Sequence, residues 1–114
     1  MALSDLREQT DRFKVEVVEM RHWHDQMTLE FDTPIHISFD LDFLDPAFAP
    51  GVFHHEPGGL STRQVIHLIQ SLRVRIIGAD MVEFNPNRAL PGITAAVCAR
   101  LLKEMAAKIV AQTE

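Results

Sequence analysis

The sequence predicts an α/β fold: a parallel sheet with flanking helices, formed as one domain over residues 1–114. Three observations point there. "PIHISFD", Pro34 to Asp40, alternates apolar Ile35, Ile37 and Phe39 with polar partners, the period-two pattern of a half-buried strand. "VRIIGAD", Val74 to Asp80, is a short apolar run of strand length, as in a strand covered on both faces of a parallel sheet. A helical pattern follows each of these strands, and strands alternating with helices build parallel sheets.

Taken in order, the chain opens with a weakly periodic helix over roughly 4–13, where Leu6 and Phe13 share one face. "KVEVVEM", Lys14 to Met20, is rich in β-branched residues and predicts a first strand. "RHWHDQMTLEFDT" is ambiguous, and as a parallel connection, which needs about a dozen residues, it would be tight. After the strand at Pro34–Asp40, a long loop to Gly59 is punctuated by Asp45-Pro46, Pro50-Gly51 and Pro57-Gly58-Gly59. Ser61 with Gln64 three positions on reads as a capping box, followed by the apolar stripe Val65, Leu68, Ile69 and Leu72. The strand at Val74–Asp80 leads into a loop from Met81 to Gly92. "ITAAVCARLLKEMAAKIVA" closes the chain as a helix, with Val97, Leu101, Met105 and Ile109 inward and Arg100, Lys103, Glu104 and Lys108 toward water.

Composition narrows the function classes. With 46% apolar residues, 24% charged residues and a net charge of −5, the chain is that of an ordinary globular domain. Mild acidity without a Lys/Arg block argues against nucleic acid as the partner. The apolar runs are far shorter than the roughly 20 residues of a membrane span, so no membrane partner is expected. "MALSDLREQTDRF" is too polar for a signal peptide, and the cytoplasm is the default compartment. The single cysteine, Cys98, excludes an internal disulfide or a cysteine-cluster zinc site, and its apolar neighbours favour an inert buried thiol.

The chemistry-bearing feature is "HISFDLDFLDPAFAPG", which sets Asp40, Asp42 and Asp45 within six positions. Carboxylates so close repel one another and are costly to bury unpaired. Strand residues two apart point to one side, so Asp40 and Asp42 can converge on a hard divalent cation, which favours carboxylate oxygen. The competing reading leaves both solvated at a strand end, with Asp45 forming the turn before Pro46; spacing alone leaves the two level. Glu83, in "VEFNP" at a strand exit, can offer two oxygens to the fork of a guanidinium or form a salt bridge with Arg88. In parallel sheets, ligands bind beyond the carboxyl ends of the strands, where these residues fall. An EF-hand loop is excluded, because the positions for its glycine and glutamate hold Asp45 and Gly51. His54 and His55, in the loop near the carboxylates, and His22 and His24, flanking Trp23, can each serve as ligand or proton shuttle, with a surface or packing role favoured. His36 and His67 read as structural and Ser61 as a cap.

"SFDLDFLDPAFAPG", "EPGGLS" and "GADMVEFNP", in this order, resemble the arginase/agmatinase (ureohydrolase) family, most nearly plant-type arginases. The likeness runs from about Val15 to the end of the sequence. It implies a partial arginase-like three-layer fold, with this chain as the C-terminal portion of one domain. It implies Asp40 bridging two Mn²⁺ ions, Asp42 binding one of them, and Glu83 beside a small guanidinium substrate that is hydrolysed to release urea. Asp45 matches a structural D-P step, and the chain supplies no catalytic side chain of its own. A homo-oligomer is implied, and an organelle replaces the cytoplasm if a targeting segment lies upstream.

The family pattern also has G-G-D-H and D-A-H-x-D segments, and neither is in this sequence. The expected centre is therefore partial: at most weak binding of one ion, and no useful turnover by the chain alone. Two rival functions are an agmatinase or other guanidino hydrolase, and a non-catalytic α/β module that associates with a full-length paralogue. A gene-model fragment predicts that the genomic frame upstream of Met1 encodes both segments. Sequencing that frame checks it, and clean intergenic sequence there sinks the explanation.

Overall fold

A computed structural model describes residues 3–88 and 92–112. Its elements are α1 (Leu3–Arg12), β1 (Ile35–Asp40), α2 (Thr62–Ser71), β2 (Ile76–Val82) and α3 (Ile93–Ala111), with short 3₁₀ turns at Met20–His22, Leu41–Phe43 and Pro86–Arg88. Part of the loop expected over 81–92 lies at residues 89–91, outside the described residues. The two strands pair in parallel, with Ser38 opposite Asp80 and Asp40 opposite Val82. A register shift between Ile35 and His36 leaves Ile77 out of the ladder, and its side chain is exposed. The expected α/β class, a parallel sheet with flanking helices, is what forms.

Pleating divides the sheet. Ile37, Phe39, Ala79 and Met81 turn toward a core that contains Val65 and Ile69 of α2 and Leu101 and Met105 of α3. Leu41, Leu44 and Leu60 extend that core below the loop after β1, each at most 2% exposed. Burying side chains of this size from water contributes roughly 1.5–3 kcal/mol each. The opposite face carries His36, Ser38, Asp40 and Asp80, all exposed.

Both long helices follow from their sequences. Ser61 accepts a hydrogen bond from the Gln64 amide, and Gln64 returns one to the Ser61 amide, so the capping box is complete. The buried stripe is Val65, Ile66, Ile69 and Leu72, with Leu68 half-buried, so Ile66 joins a face the apolar spacing had not assigned to it. α3 begins after Gly92, whose φ of 95° lies in the left-handed region that glycine adopts readily. Leu101 and Met105 are buried as expected, whereas Glu104 and Lys108 do not simply face water. Glu104 accepts from the Gln70 amide, and the Lys108 ammonium donates to the Gln70 carbonyl, tying α3 to the end of α2.

The strand expected at Lys14–Met20 does not form. A strand requires a ladder partner, and among the described residues β1 and β2 form the one ladder, beside a single bridge between Leu44 and Leu60. Val15, Val17 and Val18 are exposed, and Lys14 takes a φ of 54°, which breaks an extended path. β-Branched composition reports fitness for a half-buried pleated surface, and here no such surface covers the segment. With no strand before it, the ambiguous "RHWHDQMTLEFDT" is not a crossover. It runs as a 3₁₀ turn and irregular chain, with Trp23 laid against the core. α1 ends one residue before the expected limit, and Leu6 and Phe13 are exposed rather than packed. The second strand lies at Ile76–Val82, two residues later than expected, so Glu83 follows it immediately.

The loop after β1 is drawn against the chain before α2. The Asp45 amide donates to the Leu60 carbonyl at 2.9 Å, and the Leu60 amide donates to the Phe43 carbonyl at 3.3 Å. Gly59 makes this approach feasible: a Cβ there would lie 2.6 Å from the Phe43 carbonyl oxygen and 2.7 Å from the Asp45 nitrogen. Both are backbone atoms with little freedom to move. Gly59→Ala is expected to destabilise the chain by about 3 kcal/mol, read as a lower urea midpoint at unchanged m-value.

Candidate functional site

The site is assembled where β1 and β2 end. Asp40 is the last residue of β1, and the chain then tightens into the 3₁₀ turn Leu41–Phe43. Asp42 is therefore not a strand residue, and the expected convergence by strand pleating does not apply. The two carboxylates are related instead by a cap: the Asp42 amide donates to Asp40 Oδ1 at 2.8 Å. That bond fixes one oxygen of Asp40, whose side chain is otherwise exposed. Leu41, fully buried between the two aspartates, anchors the turn.

Asp42 is held differently. Its Oδ1 is buried and has no hydrogen-bond partner. A buried carboxylate oxygen without a donor is unfavourable by about 1–3 kcal/mol or more, since carboxylates accept strongly. Such an atom calls for a cation or a donor supplied from elsewhere. Hard carboxylate oxygens suit Mn²⁺ or Mg²⁺, so the donor type at Asp40 and Asp42 fits a divalent ion. Their number does not complete a coordination shell, and among the described residues no group of three or more His, Cys, Asp or Glu could hold one.

Glu83 leaves the end of β2 with a φ of 70°, in the left-handed region where a non-glycine residue is strained. Its side chain is exposed. Arg88, the alternative salt-bridge partner, donates instead to the Phe53 carbonyl at 3.0 Å. Glu83 thus stands at the same end of the sheet as Asp40 and Asp42, with no ion pair among the described residues.

Asp45 is a turn residue, as its D-P context suggested. Its Oδ1 accepts from the Ala47 amide and its Oδ2 from the Gly58 amide, both at 2.9 Å. Those two donors hold its carboxyl below the usual carboxylate range, with Ala47 contributing most. Both oxygens are occupied by the loop, which leaves Asp45 a staple for the segment below Asp42. The loop is also joined to the exit of β2, since the Asn85 amide donates to the Gly51 carbonyl at 2.7 Å. The Gly51 amide in turn donates to the buried hydroxyl of Thr94 on α3. His55 meets the Pro50 carbonyl at 2.7 Å, a packing role. Cys98 is half-buried, and burial pushes its thiol up, away from the nucleophilic form.

One group was not singled out from the sequence. Asp80 accepts from the Ser38 hydroxyl at 2.7 Å through Oδ1 and lies 2.9 Å from His36 Nε2 through Oδ2. The alternation of β1 does place His36, Ser38 and Asp40 on one face, but only the strand register brings Asp80 opposite them. An apolar trough of about 460 Å³ also runs along β1, between Leu29 and Phe31 on one side and α2 on the other. It touches Asp40 but neither Asp42 nor Glu83.

Comparisons with known proteins show what the chain and its fold are similar to. The arginase family model matches residues 3–107. Arginase 1, mitochondrial, of Arabidopsis thaliana is 49% identical over 111 residues, covering 90% of this chain and 32% of the relative. The structure of arginase from Medicago truncatula superposes with a TM-score of 0.85 at 42% identity, over 96% of this chain and 37% of that one. An arginase-like protein of T. brucei, solved as a triple mutant bound with Mn²⁺, gives the same TM-score at 30% identity and covers 96% of this chain and 40% of that one. Human guanidino acid hydrolase, mitochondrial, is 45% identical over 73 residues, covering 63% of this chain and 21% of the relative. The chain spans about a third of the length of the curated arginases it matches.

The Asp45 staple generates a pH dependence. A carboxyl lowered in the folded state contributes stability above its unfolded pKa of about 3.9, and that contribution is lost as pH falls through the folded value. Asp45→Asn is expected to be less stable than the native chain at pH 7, with the difference shrinking as pH falls below about 4. Thermal melts of both proteins across that range check it; a difference that does not change with pH would show that the charge of Asp45 is not what holds the loop.

Proposed function

The chain belongs to the arginase family, and from that premise we propose that it is part of a manganese-dependent hydrolase of a guanidinium substrate, converting arginine to ornithine and urea. Asp40 and Asp42 are its metal ligands, and Glu83 receives the substrate cation. The observation that carries the reading is the buried, unpartnered Oδ1 of Asp42 beside Asp40, at the carboxyl end of a parallel strand.

When bound, manganese supplies acidified water and a positive charge for the developing negative oxygen. This chain's residues do the rest of what is assigned to it. Asp40 and Asp42 offer hard anionic oxygens at a backbone position fixed by the cap and by buried Leu41. Glu83 offers two oxygens that match the donor fork of a guanidinium and set the orientation of its carbon. Further ligands come from outside the chain, because two carboxylates do not fill the coordination of two ions.

Arginine is favoured over other guanidino compounds by coverage: the plant arginases match over 90% of the chain, against 63% for the guanidino acid hydrolase. The mitochondrial and chloroplastic names of the plant relatives support an organelle over the cytoplasm as compartment.

Two measurements test the proposal. Mn²⁺ titration followed by electron paramagnetic resonance is expected to show weak binding by the chain, lost in Asp42→Ala. Equal binding by that variant overturns the ligand reading. With arginine and Mn²⁺, the chain by itself is expected to release no urea. Release abolished by Asp40→Ala would overturn the need for outside ligands.

A further inference from the structure

The sheet face opposite the helices carries a hydrogen-bonded group that neither the metal nor the guanidinium reading uses. Asp80, on β2, spends both carboxylate oxygens on β1: one on the Ser38 hydroxyl, the other on the His36 ring. We propose that Asp80 is a positioning residue, which sets the metal-binding end of β1 against the substrate-binding exit of β2. The proposal rests on the reading of Asp40 and Asp42 as metal ligands.

Three observations support it. The first is register: Ser38 stands opposite Asp80, and two residues further on Asp40 stands opposite Val82, with Glu83 next. The strut therefore lies immediately behind both ends of the site and on the same face as Asp40. A shift of one residue between the strands would turn Asp40 to the other face. The second is its exposure, with His36 51% and Asp80 50% exposed. Exposed side-chain contacts of this kind contribute little to stability, charged or not, so global stability does not account for this one. What a doubly bonded carboxylate does supply is geometry.

The third is accommodation in the backbone. The His36 ring lies over Gly78, where a Cβ would come within 2.9 Å of His36 Nδ1. Residue 78 thus leaves room for the ring to reach Asp80. His36 and Ser38, in that order, hold the Asp80 carboxyl below the usual carboxylate range. Asp80 is thereby kept as an anion that accepts from both.

Asp80→Asn tests this, because it preserves shape while removing the charge and one acceptor. It is expected to weaken Mn²⁺ binding by the 114-residue chain roughly 10-fold, the lower end of what outer-shell changes cost. Far-UV circular dichroism and melting temperature are expected to stay close to native. In an Asp40→Ala background, Asp80→Asn is expected to have no further effect on Mn²⁺ binding. A merely structural role would not give that dependence on Asp40. Native affinity in Asp80→Asn, or equal weakening with and without Asp40, overturns the proposal. If Asp80→Asn fails to fold, His36→Ala removes one arm of the strut, and unchanged Mn²⁺ binding in that variant overturns it likewise. A native chain that binds Mn²⁺ no better than Asp42→Ala fails at the ligand reading itself, and the positioning role falls with it. Native binding retained by Asp80→Asn sinks the positioning role alone.

Discussion

Parallel pairing of β1 with β2 is the constraint on which the rest of the structure depends. Parallel strands deliver their carboxyl ends to the same side, so residues far apart in sequence meet there without any contact between their side chains. Asp40 ends one strand and Glu83 follows the other, a juxtaposition that an antiparallel pair would abolish. The same pairing sets one face of the sheet on α2 and α3 and leaves the polar face open. Asp40, Asp42, Asp80 and Glu83 lie on that face or at that end.

The end of the sheet is stiffened from beneath. Leu41 and Leu44 plug the core on either side of the turn, and the Asp45 carboxylate gathers two loop amides. Gly59 permits the chain before α2 to run against the backbone of Phe43 to Asp45. Local order of this kind explains how an unpartnered buried oxygen can persist at Asp42. Flexible chain would turn such a group to water, whereas a plugged and stapled turn holds it in place.

The three crowded aspartates have three different environments. Asp40 is exposed and caps a turn, Asp42 is partly buried and lacks a donor at one oxygen, and Asp45 is saturated by amides. They are alike in charge and close in sequence, and hydrogen bonding distinguishes them in space. Of the three, Asp42 is the one with a buried carboxylate oxygen that has no donor among the described residues.

The sequence by itself determined the parallel α/β class, the capped helix after Ser61 and the long closing helix. Each rests on local physics: period, capping chemistry and an unbroken run of helix formers. It also located Asp40, Asp42 and Glu83 at strand exits and identified Asp45 as a turn residue. Tertiary structure decided what local signals cannot carry. The valines of Lys14–Met20 suit a strand, yet a strand exists only where a partner supplies its hydrogen bonds. The pairing of Asp40 with Asp42 depends on a turn that closes after one residue, which a period of two misreads as continuing strand. Glu104 and Lys108 lie on the polar side of their helix but meet the end of α2, whose position no helical period encodes. The reach of Asp80 to His36 and Ser38 depends on a register between segments some forty residues apart, and only the folded sheet sets it.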